Sequence, residues 1–348
     1  MRDLKYLLAY SIPLSAFFAI YFQGIFSFSS LIYAFFIIPL LELILPESNR
    51  LYPEDDKESR LKNVFFDLLL YLNVPIVFGL LAYGLLTIYQ DELLTYELIG
   101  IISSLGVLLA TNAINVAHEL GHRSSLFERT LSKILYLPCL YMHFYLEHNF
   151  GHHKNVATEK DPASAKHNQS LYSFWVTSVL NQYENAWNLQ MKFLAKEGRT
   201  FFSFKNDMLF YLIFQAAYLT LVYLLFGSFV FLVAIMVGIN SFLYLETINY
   251  IEHYGLKRTK LASGSYERVS AIHSWNSNHT MGRMVLYELT RHSDHHHKAS
   301  KKYQVLEHKE ESPQLPFGYP TSMIIALIPP LWFRLMNPRI PTQMLADT

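Results

Sequence analysis

Six apolar runs, each close to the length needed to cross a bilayer, constrain the fold of this 348-residue chain more than any other feature. Backbone exposed to lipid must satisfy its own hydrogen bonds, so such runs fold as helices. The composition agrees, because 52% of residues are hydrophobic and only 16% are charged, against about a quarter in soluble domains. We therefore predict an all-α integral membrane protein with six transmembrane helices, at residues 6–21, 26–45, 65–89, 96–117, 208–226 and 229–249.

The distribution of Lys and Arg between the short loops predicts the orientation of these helices. The loop 46–63 carries Arg50, Lys57, Arg60 and Lys62, whereas the loop 90–95 carries no basic residue. With six spans, both termini and the two long polar segments share the basic side, which is cytoplasmic. No repeat or flexible linker divides the chain, so we expect one domain, 1–348, with its cytoplasmic segments at 118–207 and 250–348.

Net charge and cysteine content exclude several classes of protein. The formal net charge is zero, and no basic run is dense enough to predict nucleic-acid binding. Cys139 is the only cysteine. One thiol cannot form a disulfide within the chain, and it cannot hold an iron–sulfur or rubredoxin-type site, which needs several cysteines.

Most of the fifteen histidines fall into four short motifs, and all of them lie in the predicted cytoplasmic segments or at their border. Imidazole suits iron, zinc, copper and nickel as a ligand. His118 and His122 are four residues apart, a spacing that places both on one face of a helix. The next motif repeats that spacing at His148 and His152, which predicts a second pair, and the adjacent His153 turns towards a neighbouring ion.

The last motif follows the same logic, with a spaced pair and a doubled histidine. We predict that His292 pairs with His295 and that His296 faces the neighbouring ion. His253 follows the sixth apolar run and adds one more donor. Because adjacent residues diverge on a helix, doubled histidines predict two metal ions, held by His118, His122, His148, His152, His153, His253, His292, His295 and His296.

Five carboxylates lie inside or near the histidine motifs. Metal-bound imidazole commonly donates its second N–H to a carboxylate, so we predict that some of these groups orient the imidazoles or bridge the metals. The candidates are Glu119, Glu147, Asp161, Glu252 and Asp294. Three further histidines near the motifs are weaker candidates for the site, namely His143, His273 and His279, whereas those in polar stretches are expected to be solvated, namely His167, His297 and His308.

Together the motifs resemble a known family. They read His118-Glu-Leu-Gly-His-Arg, Glu147-His-Asn-Phe-Gly-His-His-Lys-Asn-Val-Ala-Thr, Asn249-Tyr-Ile-Glu-His-Tyr-Gly-Leu and Arg291-His-Ser-Asp-His-His. This set, within roughly residues 60–340, resembles the membrane alkane hydroxylases, the alkane 1-monooxygenases of the wider fatty-acid desaturase and hydroxylase superfamily. The third motif decides the resemblance, since desaturases share the three clustered motifs but lack this one. The chain departs from the family pattern at 281–283 and at His297.

The resemblance implies six membrane helices and a non-haem centre of two iron ions held by the nine histidines named above. It implies O2-dependent hydroxylation of the terminal carbon of medium- or long-chain alkanes in a bacterial inner membrane. It also implies electrons from rubredoxin, which an NAD(P)H-dependent reductase reduces. Because the chain has a single cysteine, that rubredoxin must be a separate protein.

Hydroxylation of an unactivated C–H bond needs a strong oxidant and an apolar cavity. Iron with O2 supplies the oxidant, whereas zinc has no redox chemistry. We expect the hydrophobic substrate to enter from the bilayer along a channel lined by Phe65, Phe66, Leu69 and Leu70. A basic stretch offers a surface for an acidic redox partner, at Lys192, Lys196, Arg199 and Lys205.

Other functions fit parts of the pattern. A xylene-type side-chain hydroxylase and a fatty-acyl desaturase or hydroxylase share several of the motifs. A membrane metal-binding or transport protein would place ligands near the middle of the bilayer, where this chain has almost none. A zinc peptidase also uses two histidines four residues apart, but it predicts two or three ligands and not nine.

Overall fold

The computed structural model describes residues 2–49 and 51–345, so Arg50 of the basic loop lies outside the described residues. Within these ranges the chain is helical. The only β-structure there is a pair of isolated bridges, Lys260 with Tyr266 and Asn276 with Gln314. The prediction of an all-α protein is confirmed.

Five helical segments in the described ranges are long and apolar enough to cross a membrane, which makes this a multi-pass membrane protein. They are Asp3–Phe22, Gly24–Ile44, Val64–Gln90, Thr95–Gly121 and Asp207–His253. The helices that make up the first four segments are Arg2–Tyr10, Ser11–Phe22, Gly24–Phe28, Ser29–Ile32, Tyr33–Ile37, Ile38–Ile44, Val64–Tyr71, Asn73–Gln90, Thr95–Leu108, Leu109–Ile114 and Asn115–Gly121.

The fifth segment holds two of the predicted spans and bends between them. Its 47 residues would extend about 70 Å as a straight helix, more than twice the thickness of a hydrocarbon core. Gly227 interrupts it with φ 79° and ψ −177°, a conformation that glycine adopts without a steric penalty. The rings of Tyr223 and Phe231 approach to 6.1 Å across this point, although residues eight apart on a straight helix are about 12 Å apart along the axis. The chain therefore turns at Gly227.

The segment Thr95–Gly121 is the centre of the bundle. Its most apolar stretch is 83% buried, whereas the other four range from 22% to 44%. The outer segments expose large side chains such as Leu43 and Ile44, as expected for surfaces that face lipid. The central helix therefore carries His118 and His122, at its end, into the middle of the protein.

Shorter helices cover the ends of the bundle. Leu171–Lys196 packs along the apolar segment that ends at His253. The others are Glu54–Lys62, Leu126–Tyr136, Phe144–Glu147, His148–His152, His153–Asn155, Ala271–His273, Thr280–Val285, His292–His297, Tyr303–Val305, Tyr319–Ala326, Pro329–Met336, Asn337–Arg339 and Thr342–Met344.

A buried acid joins the last apolar segment to the helix Leu171–Lys196. Glu246 is fully buried in the last apolar segment and accepts hydrogen bonds from Ser178 (2.6 Å), Gln182 (2.9 Å) and Tyr141 (3.0 Å). Burying a carboxylate is costly unless its oxygens are satisfied, and here they are. The network therefore fixes the helix that delivers His253 against its neighbours.

Candidate metal centre

The nine histidines selected from the sequence lie together, in two groups. Within each group the ring nitrogens that face inwards all lie within 4.8 Å of one another. We call the five that share one centre the first histidine group: His118, His122, His148, His153 and His295. The second histidine group has four members: His152, His253, His292 and His296.

The way in which neighbouring histidines pair differs from the prediction. His148 shares the first group with His153, their Nε2 atoms 3.0 Å apart, while His152 belongs to the second group. The predicted pairing of His148 with His152 is wrong because His148–His152 is a turn of π-helix. In that geometry backbone hydrogen bonds join residues five apart, so residues 148 and 153 share a face.

The last motif is also paired differently. His292 and His296 share the second group, with Nε2 atoms 2.9 Å apart, whereas His295 joins the first group, 3.2 Å from His153. The helix His292–His297 is α-helical, and there residues four apart share one face as readily as residues three apart. Each pair of adjacent histidines thus still contributes one member to each group, but with the roles of the two exchanged.

The spacing of the ring nitrogens fits metal ions. Six Nε2–Nε2 separations within the groups lie between 2.9 and 3.2 Å. Imidazole nitrogens bind such ions at about 2.1 Å, so two ligands at right angles lie about 3.0 Å apart. The buried Nε2 of His118 has no hydrogen-bond partner, as expected for an atom aimed at an ion.

The protonation states agree with this fit. Burial lowers the pKa of the His148, His292 and His296 imidazoles well below the ordinary value. Each is therefore neutral at pH 7 and offers a lone pair. Neutral imidazoles whose lone pairs converge at these distances suit a cation between them.

Two of the five candidate carboxylates contact the second histidine group. Asp161 accepts a hydrogen bond from Nδ1 of His152 at 2.9 Å, which leaves Nε2 for a metal. The pKa of His152 would be lowered by burial, but the Asp161 charge raises it above the ordinary value. One oxygen of Glu252 lies 3.2 Å from His292 Nε2, and the other accepts a 2.7 Å hydrogen bond from Tyr319. Glu252 thus faces the position that a metal would occupy.

The other three candidate carboxylates pair with side chains other than the nine histidines. Glu119 pairs with Arg123 at 2.7 Å, and Asp294 pairs with Lys301 at 2.5 Å. Glu147 is fully buried and accepts a 3.0 Å hydrogen bond from Asn185. Burial, with the charge of Asp161 nearby, raises the pKa of Glu147 to about 8.

The remaining histidines lie outside both groups. His143 packs against the ring of Tyr141, and His279 bonds to Ser277. His297 is exposed, so the spare histidine of the last motif is not one of the convergent set. His273 contributes through its backbone, because its carbonyl accepts from Nδ1 of His253 at 3.4 Å. Neither His273 nor Tyr319 lies in any of the four histidine motifs read from the sequence.

Replacing Asp161 by asparagine is expected to weaken metal binding by roughly 10–100-fold, because the charge that orients His152 is lost. The metal retained per chain after dialysis against a chelator measures this. Asp294→Asn is the matched control, since that carboxylate pairs with Lys301 and contacts no member of either group. Equal metal loss in both variants would contradict the role of Asp161.

Three apolar cavities adjoin one another between the histidines and the lipid-facing surface. The innermost, a narrow cleft of about 20 Å³, is bounded by His118, His148, His292 and Glu252 at its polar end. It shares Ala110 and Ile248 with a second cavity of about 50 Å³. The second shares three residues with an outer groove of about 420 Å³, namely Phe35, Tyr244 and Met323.

The channel lining predicted from the sequence does not coincide with these three cavities. None of the four residues named from the sequence lines these three cavities, namely Phe65, Phe66, Leu69 and Leu70. Phe66 packs instead edge-to-face against Tyr6 and Tyr303, with centroids 5.8 and 5.9 Å apart. Aromatic residues on a span more often pack against other helices than line a passage.

Known proteins are similar to this chain in sequence. The sequence model of the fatty acid desaturase family matches residues 94–323, more than half of the chain. The chain belongs to this family. The matched residues include all nine histidines of the two groups.

Within the fatty acid desaturase family the chain is similar to several alkane 1-monooxygenases. That of Pseudomonas putida is 35% identical over 305 residues, which cover 87% of this chain and 75% of the relative. Alkane 1-monooxygenase 2 of Alcanivorax borkumensis is 42% identical over 242 residues, 70% of this chain and 63% of the relative. The hydroxylase component of a xylene/toluene monooxygenase from Pseudomonas putida is less similar, 29% identical over 297 residues, 82% of this chain and 76% of that protein.

Proposed function

We propose that the chain is an alkane 1-monooxygenase, which uses O2 to hydroxylate the terminal carbon of medium- or long-chain n-alkanes to primary alcohols. The observation that carries this proposal is a cluster of nine imidazoles that closes one end of an apolar cavity. Apart from the histidines, Glu252, Asn115 and Asn249, the residues that line this cavity are apolar. The similarity to several alkane 1-monooxygenases supports the same reaction.

The nine histidines are proposed to hold two iron ions, one in each group, with Glu252 beside the second. When bound, these ions supply the redox chemistry with O2 that an inert C–H bond requires and that zinc lacks. The protein's own residues orient the imidazoles through Asp161 and through the carbonyl of His273. The apolar walls exclude water. Dispersion forces and the shape of the cavity then position one end of an alkane near the histidines.

The enzyme is proposed to lie in the bacterial inner membrane with six spans and a cytoplasmic site. The turn at Gly227 supports six spans, since it divides the longest apolar segment in two. The basic loop 46–63 supports a cytoplasmic position for both termini and the histidines. Substrate would then arrive from lipid by way of the outer groove, and a separate rubredoxin with its NAD(P)H-dependent reductase would supply electrons.

Purified protein with rubredoxin, reductase and NADH should convert n-octane or n-hexadecane to the 1-alcohol and contain two irons per chain. The same assay with p-xylene and palmitic acid tests for the two alternative activities, side-chain hydroxylation of xylene and oxidation of fatty acids. The 29% identical xylene/toluene monooxygenase component makes xylene hydroxylation the stronger of these alternatives. Products from p-xylene or palmitic acid alone would contradict the proposal. So would activity retained when zinc replaces iron.

Enlarging the junction residue Ala110 tests the proposed route. Ala110 lines both inner cavities, so Ala110→Leu fills the passage between them and is expected to lower the catalytic efficiency with n-octane by roughly tenfold or more. Gas chromatography of the alcohol measures this at matched iron content. Phe65→Leu is the control, because Phe65 lines neither cavity. An unchanged efficiency in Ala110→Leu would place the route elsewhere.

A further inference from the structure

A cavity of about 480 Å³ lies beside the start of the last apolar segment and shares no lining residue with the three apolar cavities. Its walls come from the helix Leu126–Tyr136, from the turn that leads to His148, and from the end of the helix Leu171–Lys196. No member of either histidine group lines it. We call it the Arg129 cavity, and its polar lining includes Arg129, Lys133, Tyr145, Glu197, Lys205 and Asp207.

The surroundings of the Arg129 cavity are those of a membrane interface. Phe202 and Phe204 are 85% and 92% exposed on the loop that leads into Asp207, where a membrane-length helix begins. Phe127, in the helix that forms another wall, is also exposed. Exposed aromatic side chains at the end of a span are typical of the boundary between lipid and water. Six residues into the span, about 9 Å deeper, Ile213 is exposed as expected for a surface that faces lipid. A molecule in the cavity would therefore lie at the depth of the lipid headgroups.

Both acidic side chains in the cavity wall have cationic partners. Asp207 pairs with Lys133 at 2.7 Å, and Glu197 pairs with Arg199, also at 2.7 Å. The acid next to Arg129 in sequence, Glu128, is buried and does not line the cavity. The wall carries three cationic side chains against these two acids, so positive charge is in excess.

Two of the three cations have no carboxylate partner. In the part of the chain that the structure describes, neither Arg129 nor Lys205 forms an ion pair. The Nε atom of Arg129 is buried and has no hydrogen-bond partner. Its guanidinium group lies beside the Tyr145 hydroxyl, which is neutral and leaves the charge uncompensated. A buried donor on a charged group calls for an acceptor, and an anion supplies one together with the opposite charge.

We propose that the Arg129 cavity binds the headgroup of an anionic phospholipid of the bilayer, with its phosphate held by Arg129 and Lys205. Guanidinium and ammonium groups both bind phosphate through charge-assisted hydrogen bonds. A headgroup with a net negative charge suits two uncompensated cations, whereas the ammonium of a zwitterionic headgroup would be repelled by them. The exposed aromatic rings and the apolar surface below favour a lipid over a free phosphate ion. Lys205, which the sequence places in a basic stretch for a redox partner, is thus assigned to lipid.

A lipid in this cavity would contact the segment that carries several of the histidines. Tyr145 and Leu146 line the cavity shortly before His148. Phe150 lines it between His148 and His152. A ligand that binds only the folded protein stabilises it more as the ligand concentration rises. Bound lipid is therefore expected to stabilise the protein around the π-helical turn His148–His152 against thermal unfolding.

The test uses purified protein in detergent micelles that contain phosphatidylglycerol, or phosphatidylethanolamine as the zwitterionic comparison. Native mass spectrometry counts the lipids retained per chain, and thermal unfolding measures the stability. We expect one retained phosphatidylglycerol, and a melting temperature about 3 °C or more above that with phosphatidylethanolamine. Inorganic phosphate in lipid-free micelles should leave the melting temperature unchanged.

Substitutions then locate the binding. Arg129→Gln/Lys205→Gln is expected to weaken phosphatidylglycerol binding about tenfold or more, because two charge-assisted hydrogen bonds are lost. The matched control is Lys192→Gln/Lys196→Gln, at exposed positions of the same basic stretch that do not line the cavity, and it should bind like the unchanged protein. Lys205→Gln alone changes an exposed side chain and should weaken binding about threefold or more, which decides the matter if the double variant does not fold.

Any of four results overturns the proposal. Equal retention of phosphatidylethanolamine would show that the site does not select an anionic headgroup. Equal stabilisation by inorganic phosphate would show a site for free anions. Unchanged phosphatidylglycerol binding in the Arg129 and Lys205 variants would place the lipid elsewhere. An equal loss in the control would show a general attraction between the basic surface and anionic lipid. None of these measurements involves hydroxylation, so they leave the proposed function untouched.

Discussion

Alanine in place of His253 is expected to abolish alkane hydroxylation, with a loss of more than about 100-fold. The second histidine group has only four members, and His253 lies 3.2 Å from His292 within it. Changes to groups that merely orient a ligand cost 10–100-fold, so loss of a ligand should cost more. Octanol formation and iron per chain measure this, and the iron content is expected to fall from two towards one.

His297→Ala is the control for that prediction, because His297 is exposed and lies outside both groups. It should retain both irons and full activity. Turnover that survives His253→Ala would instead favour an eight-ligand arrangement of the desaturase type. Both substitutions remove one imidazole from the protein. The two variants differ only in that His253 is buried within the second histidine group, whereas His297 is exposed and outside both groups.

Much of the fold could be predicted from the sequence because the lipid environment leaves few choices. Apolar runs of 20 or so residues must form helices, and the brief Gly227-Ser228 interruption between two such runs predicts a turn. The structure has a non-helical residue at Gly227, where the two runs meet. The extent to which each helix is buried did not follow, because apolar side chains suit both lipid and the protein interior. The central position of Thr95–Gly121 is a property of packing.

The membership of the candidate site could also be predicted, but its internal arrangement could not. Nine imidazoles at short spacings have few explanations other than metal, and all nine converge. Which of them fall in the same group depends on the local helix type. The π-helical turn at His148–His152 moves His153 into the place that α-helical geometry gave to His152. A difference of one residue in hydrogen bonding is too small for spacing alone to reveal.

Long-range contacts were beyond prediction for a related reason. Tyr319 is 67 residues from Glu252 in sequence, yet its hydroxyl donates to that carboxylate at 2.7 Å. The cavity walls combine segments as distant as Ala34 and Met323. Neither the Tyr319–Glu252 hydrogen bond nor the composition of the cavity walls produces a periodic pattern in the sequence, because both depend on how separate helices pack.

Neutralising Glu252 is expected to have an effect nearly as large as removing His253. Glu252→Gln keeps the size of the side chain and an acceptor for Tyr319, but it removes the buried negative charge 3.2 Å from His292 Nε2. A carboxylate beside a cation in a dry site contributes far more than one in water. We expect metal affinity to fall by about 100-fold, with hydroxylation falling in parallel. Iron titration of metal-depleted protein and octanol formation measure the two effects.

Two further substitutions make the interpretation specific. Tyr319→Phe retains the charge of Glu252 but frees its second oxygen, so we expect a smaller loss of roughly tenfold in activity with both irons still bound. Glu119→Gln removes another largely buried carboxylate, whose partner is Arg123 and not a histidine, and it should leave metal affinity unchanged. If Glu252→Gln and Glu119→Gln lowered metal affinity equally, the effect would belong to buried charge in general. We expect the loss of function to be largest in Glu252→Gln, smaller in Tyr319→Phe and absent in Glu119→Gln. That order follows only if Glu252 acts on the second histidine group and Tyr319 holds the Glu252 carboxylate in place.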